Sequence, residues 1–381
     1  MGKDEELITL VVHTEEFAFK LKDVLEFHDV PVTLENLDEA GIHLAGSPKK
    51  VRIPLSRLDL GLKVLESGKD ALEPTAVLKM TGMGKTLLIP VDFSPLGSLA
   101  VKVGFFLAEK FGVEPVLLHS YISSYFESPE ISAQVTPDFT LQDEMNAAEE
   151  AVEDNAFKKV ASSKLAAFRR LVRKEQEQGL LPDIRFSTAL LEGIPELVIQ
   201  EYCKAGKPMM VVMATRAARK KGMDLVGSVT AEVIDSCRVP VISIPESFRP
   251  AGVDKIRNVA MFCSFSGYDT IVLRWLMRTF DYPSCSFYLL PATDRHVDNV
   301  DREIENLKFY FGKNYPTAEF HAAGYKGARF EDRVKSILEE NDIDLIIVPN
   351  KKSSAFSRFF KPTLAHKILF EKDIPLIVIP V

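Results

Sequence analysis

Apolar positions fall along this chain in two alternating rhythms. Short, β-branched runs (Leu87–Val91, Pro115–His119, Ile184–Leu191, Met209–Met213, Val239–Ile244) read as strands. The stretches between them (Pro95–Phe111, Met145–Gln178, Pro195–Cys203, Ser228–Ser236) read as helices. Strands alternating with helices predict a parallel, doubly wound α/β sheet over residues 86–246. The order returns over 256–381. Its strands are Asn258–Cys263, Ser286–Leu290, Ala318–Ala322, Leu345–Val348 and Leu376–Ile379, and its helices Asp269–Phe280, Asn299–Phe311, Phe330–Glu340 and Thr363–Glu371. The two endings superimpose without a gap: Pro240 and Pro375 stand 135 residues apart, as do Ala214 and Pro349, Gly227 and Pro362, and Ser228 and Thr363. A repeat of strand, loop, helix and strand with equal loop lengths indicates two tandem domains.

Residues 1–80 follow another pattern. Leu7–Val12, Val30–Asn36 and Lys50–Pro54 read as strands, Glu15–Phe27 and Ser56–Ser67 as helices, and Ala76–Lys79 as a closing strand. The order β-α-β-β-α-(β) predicts a small ferredoxin-like α+β module; such modules host many functions, so the fold names none, and its resemblance to small signalling modules of regulatory proteins gives a regulatory unit as the expectation. Leu37–Lys49 reads as a surface connection, 68–85 as a linker, Ser120–Glu144 as a long loop and Glu246–Lys255 as a connector. Gly84-Lys85-Thr86 is no phosphate loop: Lys79 stands where the first glycine belongs, and a strand follows instead of a helix.

Composition narrows the class. The chain has 381 residues, too many for one ordinary domain, with 46% apolar and 27% charged residues. A net charge of −7 disfavours non-specific nucleic-acid binding, and no apolar run has the length of a membrane span. The polar, acidic start MGKDEEL reads as no signal peptide, so a cytoplasmic protein is expected. The four cysteines, Cys203, Cys237, Cys263 and Cys285, show no metal-ligand spacing and read as buried, reduced thiols. Cys237 and Cys263, near element ends, are the two weighed as redox thiols. The seven histidines have no H-x-x-x-H spacing, and no G-x-S-x-G elbow occurs.

The stretch Met209–Pro245 carries the candidate chemistry. A buried strand leads into a basic loop (Arg216, Arg219, Lys220, Lys221), and Gly227-Ser228 opens a helix. Ser228 suits an N-cap, and a helix N-terminus beside parallel strands is where an α/β sheet holds an anion.

With these residues in view the chain resembles the universal stress protein family. The likeness rests on IPVDFS (Ile89–Ser94), LLHS (Leu117–Ser120) and the block from Val211 to Pro245. It covers 86–246 well, 256–381 as a decayed second copy, and 1–80 not at all. It implies two tandem domains of the adenine nucleotide alpha-hydrolase-like kind, and a nucleotide site built on a G-x-x-G-x(9)-G-[ST] loop. Here Ala214 and Ala217 stand at the first two glycine positions, while Gly227 and Ser228 keep the last. Asp92 keeps the acidic residue that meets the nucleoside in nucleotide-binding members. A methyl group at each alanine crowds an anion that glycine would let approach the backbone; Arg216 offers compensating charge. In the second copy Ser264 replaces Asp92, and Pro349, Lys352 and Pro362 occupy the glycine positions, which leaves a basic loop with Lys351, Arg358 and Lys361. Ser266-Gly267-Tyr268-Asp269-Thr270 lacks one glycine of the loop of adenylating enzymes and reads as a helix start.

The expectation is therefore a non-catalytic regulatory or stress-response protein that works through protein partners, with ATP as the one candidate cofactor. The alternative is an adenine-nucleotide sensor with one weak ATP site in the first domain, with slow hydrolysis. The family commonly pairs last strands between subunits. Val241–Ile244 and Leu376–Ile379 are expected to pair as an intrachain pseudo-dimer, with a homodimer as the alternative; crosslinks between the two strands test this.

Overall fold

The computed structural model describes residues 6–13, 15–36, 49–67, 84–122, 141–215, 228–263, 268–280, 284–291, 300–322, 330–350 and 374–380. Two compact units result, Gly84–Val253 and a composite of Met1–Met83 with Asp254–Val381.

In the composite unit the N-terminal segment runs β1 (Leu7–His13), α1 (Glu15–Phe27), β2 (Thr33–Asn36), β3 (Lys49–Pro54) and α2 (Leu58–Ser67). Its sheet has the order β1-β3-β2, antiparallel at both pairings. That is the predicted β-α-β-β-α chain path; the expected strand at Ala76–Lys79 lies outside the described residues. Leu10, Leu21, Leu25, Val51 and Ile53 are fully buried between this sheet and its helices.

The unit Gly84–Val253 runs β4 (Thr86–Pro90), α3 (Pro95–Phe111), β5 (Glu114–Tyr121), α4 (Leu141–Glu177), β6 (Ser187–Glu192), α5 (Pro195–Gly206), β7 (Met210–Thr215), α6 (Ser228–Ser236) and β8 (Val241–Pro245). Its parallel strands lie in the order β8-β7-β4-β5-β6. The first strand is central, so both of its faces need cover, and the unbroken run Leu87–Ile89 is fully buried. Helix α3 fits closely over it, because a Cβ at Gly104 would stand 2.5 Å from Ile89 Cδ1. Pro95 in its first turn and the left-handed Gly112 (φ 63°) at its end set the limits of α3. Helix α4 begins at Leu141, inside the stretch that the sequence suggests is loop. Over residues 156–177 its buried stripe (Ala161, Leu165, Phe168, Val172, Gln176) keeps a helical period, while Lys158, Lys159, Arg169 and Arg170 face solvent.

The rest of the composite unit repeats this order: β9 (Asn258–Cys263), α7 (Tyr268–Phe280), β10 (Ser286–Pro291), α8 (Val300–Asn314), β11 (Glu319–Ala322), α9 (Phe330–Glu340), β12 (Leu345–Asn350) and β13 (Leu376–Pro380). Its strand order, β11-β10-β9-β12-β13, matches that of the other unit. The repeat extends to single hydrogen bonds. Val211 N–H donates to Pro240 O at 2.9 Å and Ile346 N–H to Pro375 O at 2.9 Å, both pairs offset by the same 135 residues. Met209 to Thr86 (2.8 Å) corresponds to Asp344 to Asn258 (2.9 Å), and Glu114 to Lys85 (3.0 Å) to Ser286 to Arg257 (2.8 Å). The helix predicted at Thr363–Glu371 lies outside the described residues.

The N-terminal sheet packs on this second repeat. Strand β1 contacts α7 and α8. Tyr310 of α8 donates to Asp59 at 2.5 Å, Arg274 of α7 approaches the same carboxylate at 4.0 Å, and Asn306 donates to Leu7 O at 3.4 Å. Burial and the Asp59 carboxylate both hold the Tyr310 phenol protonated. Phe311 is fully buried, its ring tilted 42° against Phe320 at 5.9 Å, and Phe320 stacks on Phe287 at 5.3 Å.

Phe311→Ala removes the ring at the centre of this cluster and is expected to cost about 3–5 kcal/mol. Tyr310→Phe removes only the bond to Asp59 and is expected to cost about 1–2 kcal/mol. Urea unfolding of the full chain checks both, and equal costs would contradict this packing.

Candidate functional site

In the unit Gly84–Val253 the chain steps from β4 to β5 and β6 in one direction, then returns to β7 and β8 on the other side of β4. The crevice outside the carboxyl ends of β4 and β7 is thus a topological switch point, where open α/β sheets take ligands.

Asp92 lies just past the end of β4, beside that crevice. Its side chain is exposed, and Oδ1 accepts from the Ser94 backbone N–H at 3.0 Å and from the Ser94 hydroxyl at 2.6 Å. Ser94 Oγ in turn accepts from Gly97 N–H at 3.0 Å and caps α3. The carboxylate so orders the start of α3 through its own loop. Gly97 is required by this arrangement for room, not for φ: a Cβ there would lie 2.5 Å from Asp92 Oδ1.

Between the two stands Phe93 with φ 61°, a left-handed conformation uncommon outside glycine. Its ring lies 4.3 Å from the His119 ring and 5.4 Å from that of Phe168 on α4. His119 sits inside β5, not at its end, and its Nδ1–H donates to Val91 O at 2.8 Å. Burial pushes its pKa below 6.5, and the Lys164 charge adds to this, while the Val91 bond and the Asp92 charge oppose. The imidazole is thus a neutral, satisfied member of an aromatic trio.

On the neighbouring strand, half-buried Ala214 pairs with Ile244, and buried Thr215 closes β7 with Oγ1 3.2 Å from Ser243 Oγ. Ser228 is the first residue of α6. Arg216, Ala217 and Gly227 lie outside the described residues. The structure accordingly brings Asp92 and Ala214 to the same ends of adjacent strands and places Ser228 at a helix start. Sequence reasoning passed over Phe93, Phe168 and Gly97. Phe93 sits next to Asp92 in IPVDFS, but no local pattern pairs it with a residue 75 positions on. In the second repeat Pro349 lies in β12, while Ser264, Lys351, Lys352, Arg358, Lys361, Pro362 and Thr363 are outside the described residues. Asp269 is buried in the first turn of α7. Among the described residues no group of three or more His, Cys, Asp or Glu side chains is placed to hold a metal ion. None of the described helices is long and apolar enough to cross a membrane.

Residues 83–245 match the profile of the Universal stress protein family. Among solved structures the chain is similar to a universal stress protein from Archaeoglobus fulgidus, at 14% identity and TM-score 0.55, over 78% of this chain and 98% of that one. A universal stress protein from Lactobacillus plantarum matches over 42% of this chain and 98% of its own, at 20% identity and TM-score 0.29. Among curated proteins none matches the chain. The first of these likenesses shows the fold.

Gly97→Ala forces a methyl group onto Asp92 Oδ1 and is expected to cost about 1–3 kcal/mol in urea unfolding. In an Asp92→Ala background the same change should cost less, and additive losses would rule out the contact. His119 titrates lower folded than unfolded. Its contribution is therefore present above the unfolded value of about 6.5 and lost as pH falls through the folded one. Stability followed from about pH 8 to 5 should decline more steeply for the wild type than for His119→Gln.

Proposed function

We propose that this chain, which carries a universal stress protein domain over residues 83–245, is a non-catalytic regulatory protein of the stress response, acting in the cytoplasm through protein partners. The observation that carries the reading is the state of Asp92. The carboxylate that would meet a nucleoside spends Oδ1 on two bonds within its own loop, and the next residue, Phe93, packs on Phe168. In the sequence, Ala214 and Ala217 take the positions at which glycine would let backbone N–H groups approach a phosphate. Recognition then falls to the surface. Helix α4 leaves Phe157, Val160 and Leu171 about half exposed at helical spacing, a stripe suited to a protein contact.

A second reading, an ATP sensor with a weak site and slow hydrolysis, is favoured by the exposure of Asp92 and by Ser228 at a helix start. Calorimetric titration with ATP and Mg²⁺ separates the two. The expected outcome is no saturable heat up to millimolar ATP. Saturable binding that Asp92→Asn abolishes would replace the first reading with the second; asparagine keeps the oxygen that Ser94 needs and removes the charge.

A further inference from the structure

We propose that α4 pairs antiparallel with α4 of a second copy of this chain, and so builds a homodimer. The inference rests on the reading of the α4 stripe as a protein contact and names its partner; it does not depend on whether ATP binds.

Helix α4 carries two seams. Ala161, Leu165, Phe168, Val172 and Gln176 are buried within the unit Gly84–Val253. On the adjacent face a second seam runs through Phe157, Val160, Lys164, Ala167, Leu171 and Lys174. Its steps alternate between three and four residues, the heptad spacing by which two helices lie side by side. All six positions are exposed, and Phe157, Val160 and Leu171 are large apolar residues about half open to water. Core packing does not require these three, because the buried seam already faces the sheet.

Charge along α4 is segregated. The first half, Leu141–Ala156, holds Asp143, Glu144, Glu149, Glu150, Glu153 and Asp154 and no lysine or arginine. In the second half Lys158, Lys159, Lys164, Arg169, Arg170 and Lys174 are exposed, with Glu177 at the helix end. Two further charges there are engaged within their own unit: Arg173 lies over the Phe186 ring at 4.6 Å, and Glu175 pairs with Lys102 at 3.0 Å.

The helix does not neutralise these blocks by itself. Positions four apart are neighbours on a helix, and here they set like beside like: Glu149 and Glu153, Glu150 and Asp154, Arg170 and Lys174. Parallel pairing of two copies would again set like against like. Antiparallel pairing lays the acidic half of each copy along the basic half of the other. With the two-fold axis between Phe157 and Val160, the heptad register sets Phe157 opposite Val160 of the second copy. The same register sets Lys164 opposite Glu153 and Lys174 opposite Asp143. A charged residue within an apolar seam, as Lys164 is, fixes one register at some cost in stability. A basic stripe with apolar residues also suits an anionic membrane, but such a surface repels the acidic half of the same helix.

The test uses the full-length protein. Sedimentation velocity should show a dimer at micromolar concentration. Lys164→Glu and Glu153→Lys should each weaken it by about tenfold or more, because each sets like charges face to face on both sides of the axis. An equimolar mixture of the two variants should dimerise again, since opposite charges then meet across the axis, an outcome that a folding defect does not give. In the wild type a carbodiimide, which joins amine to carboxylate directly, should link Lys164 to Glu153. The two stand 11 residues apart, about 16 Å along one helix, so this link has to cross between copies. The proposal is overturned by a chain that stays monomeric, by a dimer that neither variant weakens, or by a mixture of folded variants that stays monomeric. A monomer that binds phosphatidylserine vesicles, with binding lost in Lys164→Glu, would assign the stripe to a membrane instead. Should a variant not fold, the wild-type crosslink decides. A monomer would leave the regulatory reading to the ATP titration.

Discussion

Each repeat of this protein is organised around one backbone connection across the reversal point of its sheet. Met209 N–H reaches Thr86 O in one, and Asp344 N–H reaches Asn258 O in the other. These bonds bring the strand that follows three helices back to the side of the first strand. The first strand is then flanked on both edges and sealed on both faces, which explains its unbroken apolar run. The same reversal opens the crevice beside Asp92, so the candidate site is a by-product of how the core is closed.

What the sequence showed and what it hid divide by range. Buried parallel strands are short apolar runs, and their register came through: β7 and β12, and β8 and β13, begin and end 135 residues apart, as the sequence repeat implies. The extra residues of α4 were hidden because its first turns present polar residues with no apolar stripe. The docking of β1 on α7 and α8 was hidden because it rests on pairs such as Asp59 with Tyr310, which no periodicity connects. At the site, Asp92 and Ser228 were legible from loop pattern. The aromatic trio was not, since Phe93, His119 and Phe168 come from three separate elements.

The candidate cleft places its polar chemistry in water. Asp92 is wet, and one oxygen is held by its own turn, so its charge is screened and partly spent. That setting weakens a potential ligand contact.

The composite unit also imposes an order of events on the ribosome. The β1-β3-β2 sheet emerges well before the helices that cover it, Tyr268–Phe280 and Val300–Asn314, which are made roughly 200 residues later. At about 5–20 residues per second, the interval is on the order of 10–40 s. During that time the nascent β1-β3-β2 sheet waits with one apolar face open, while the whole unit Gly84–Val253 is synthesised and folds in between. That face closes only once the two later helices have been made.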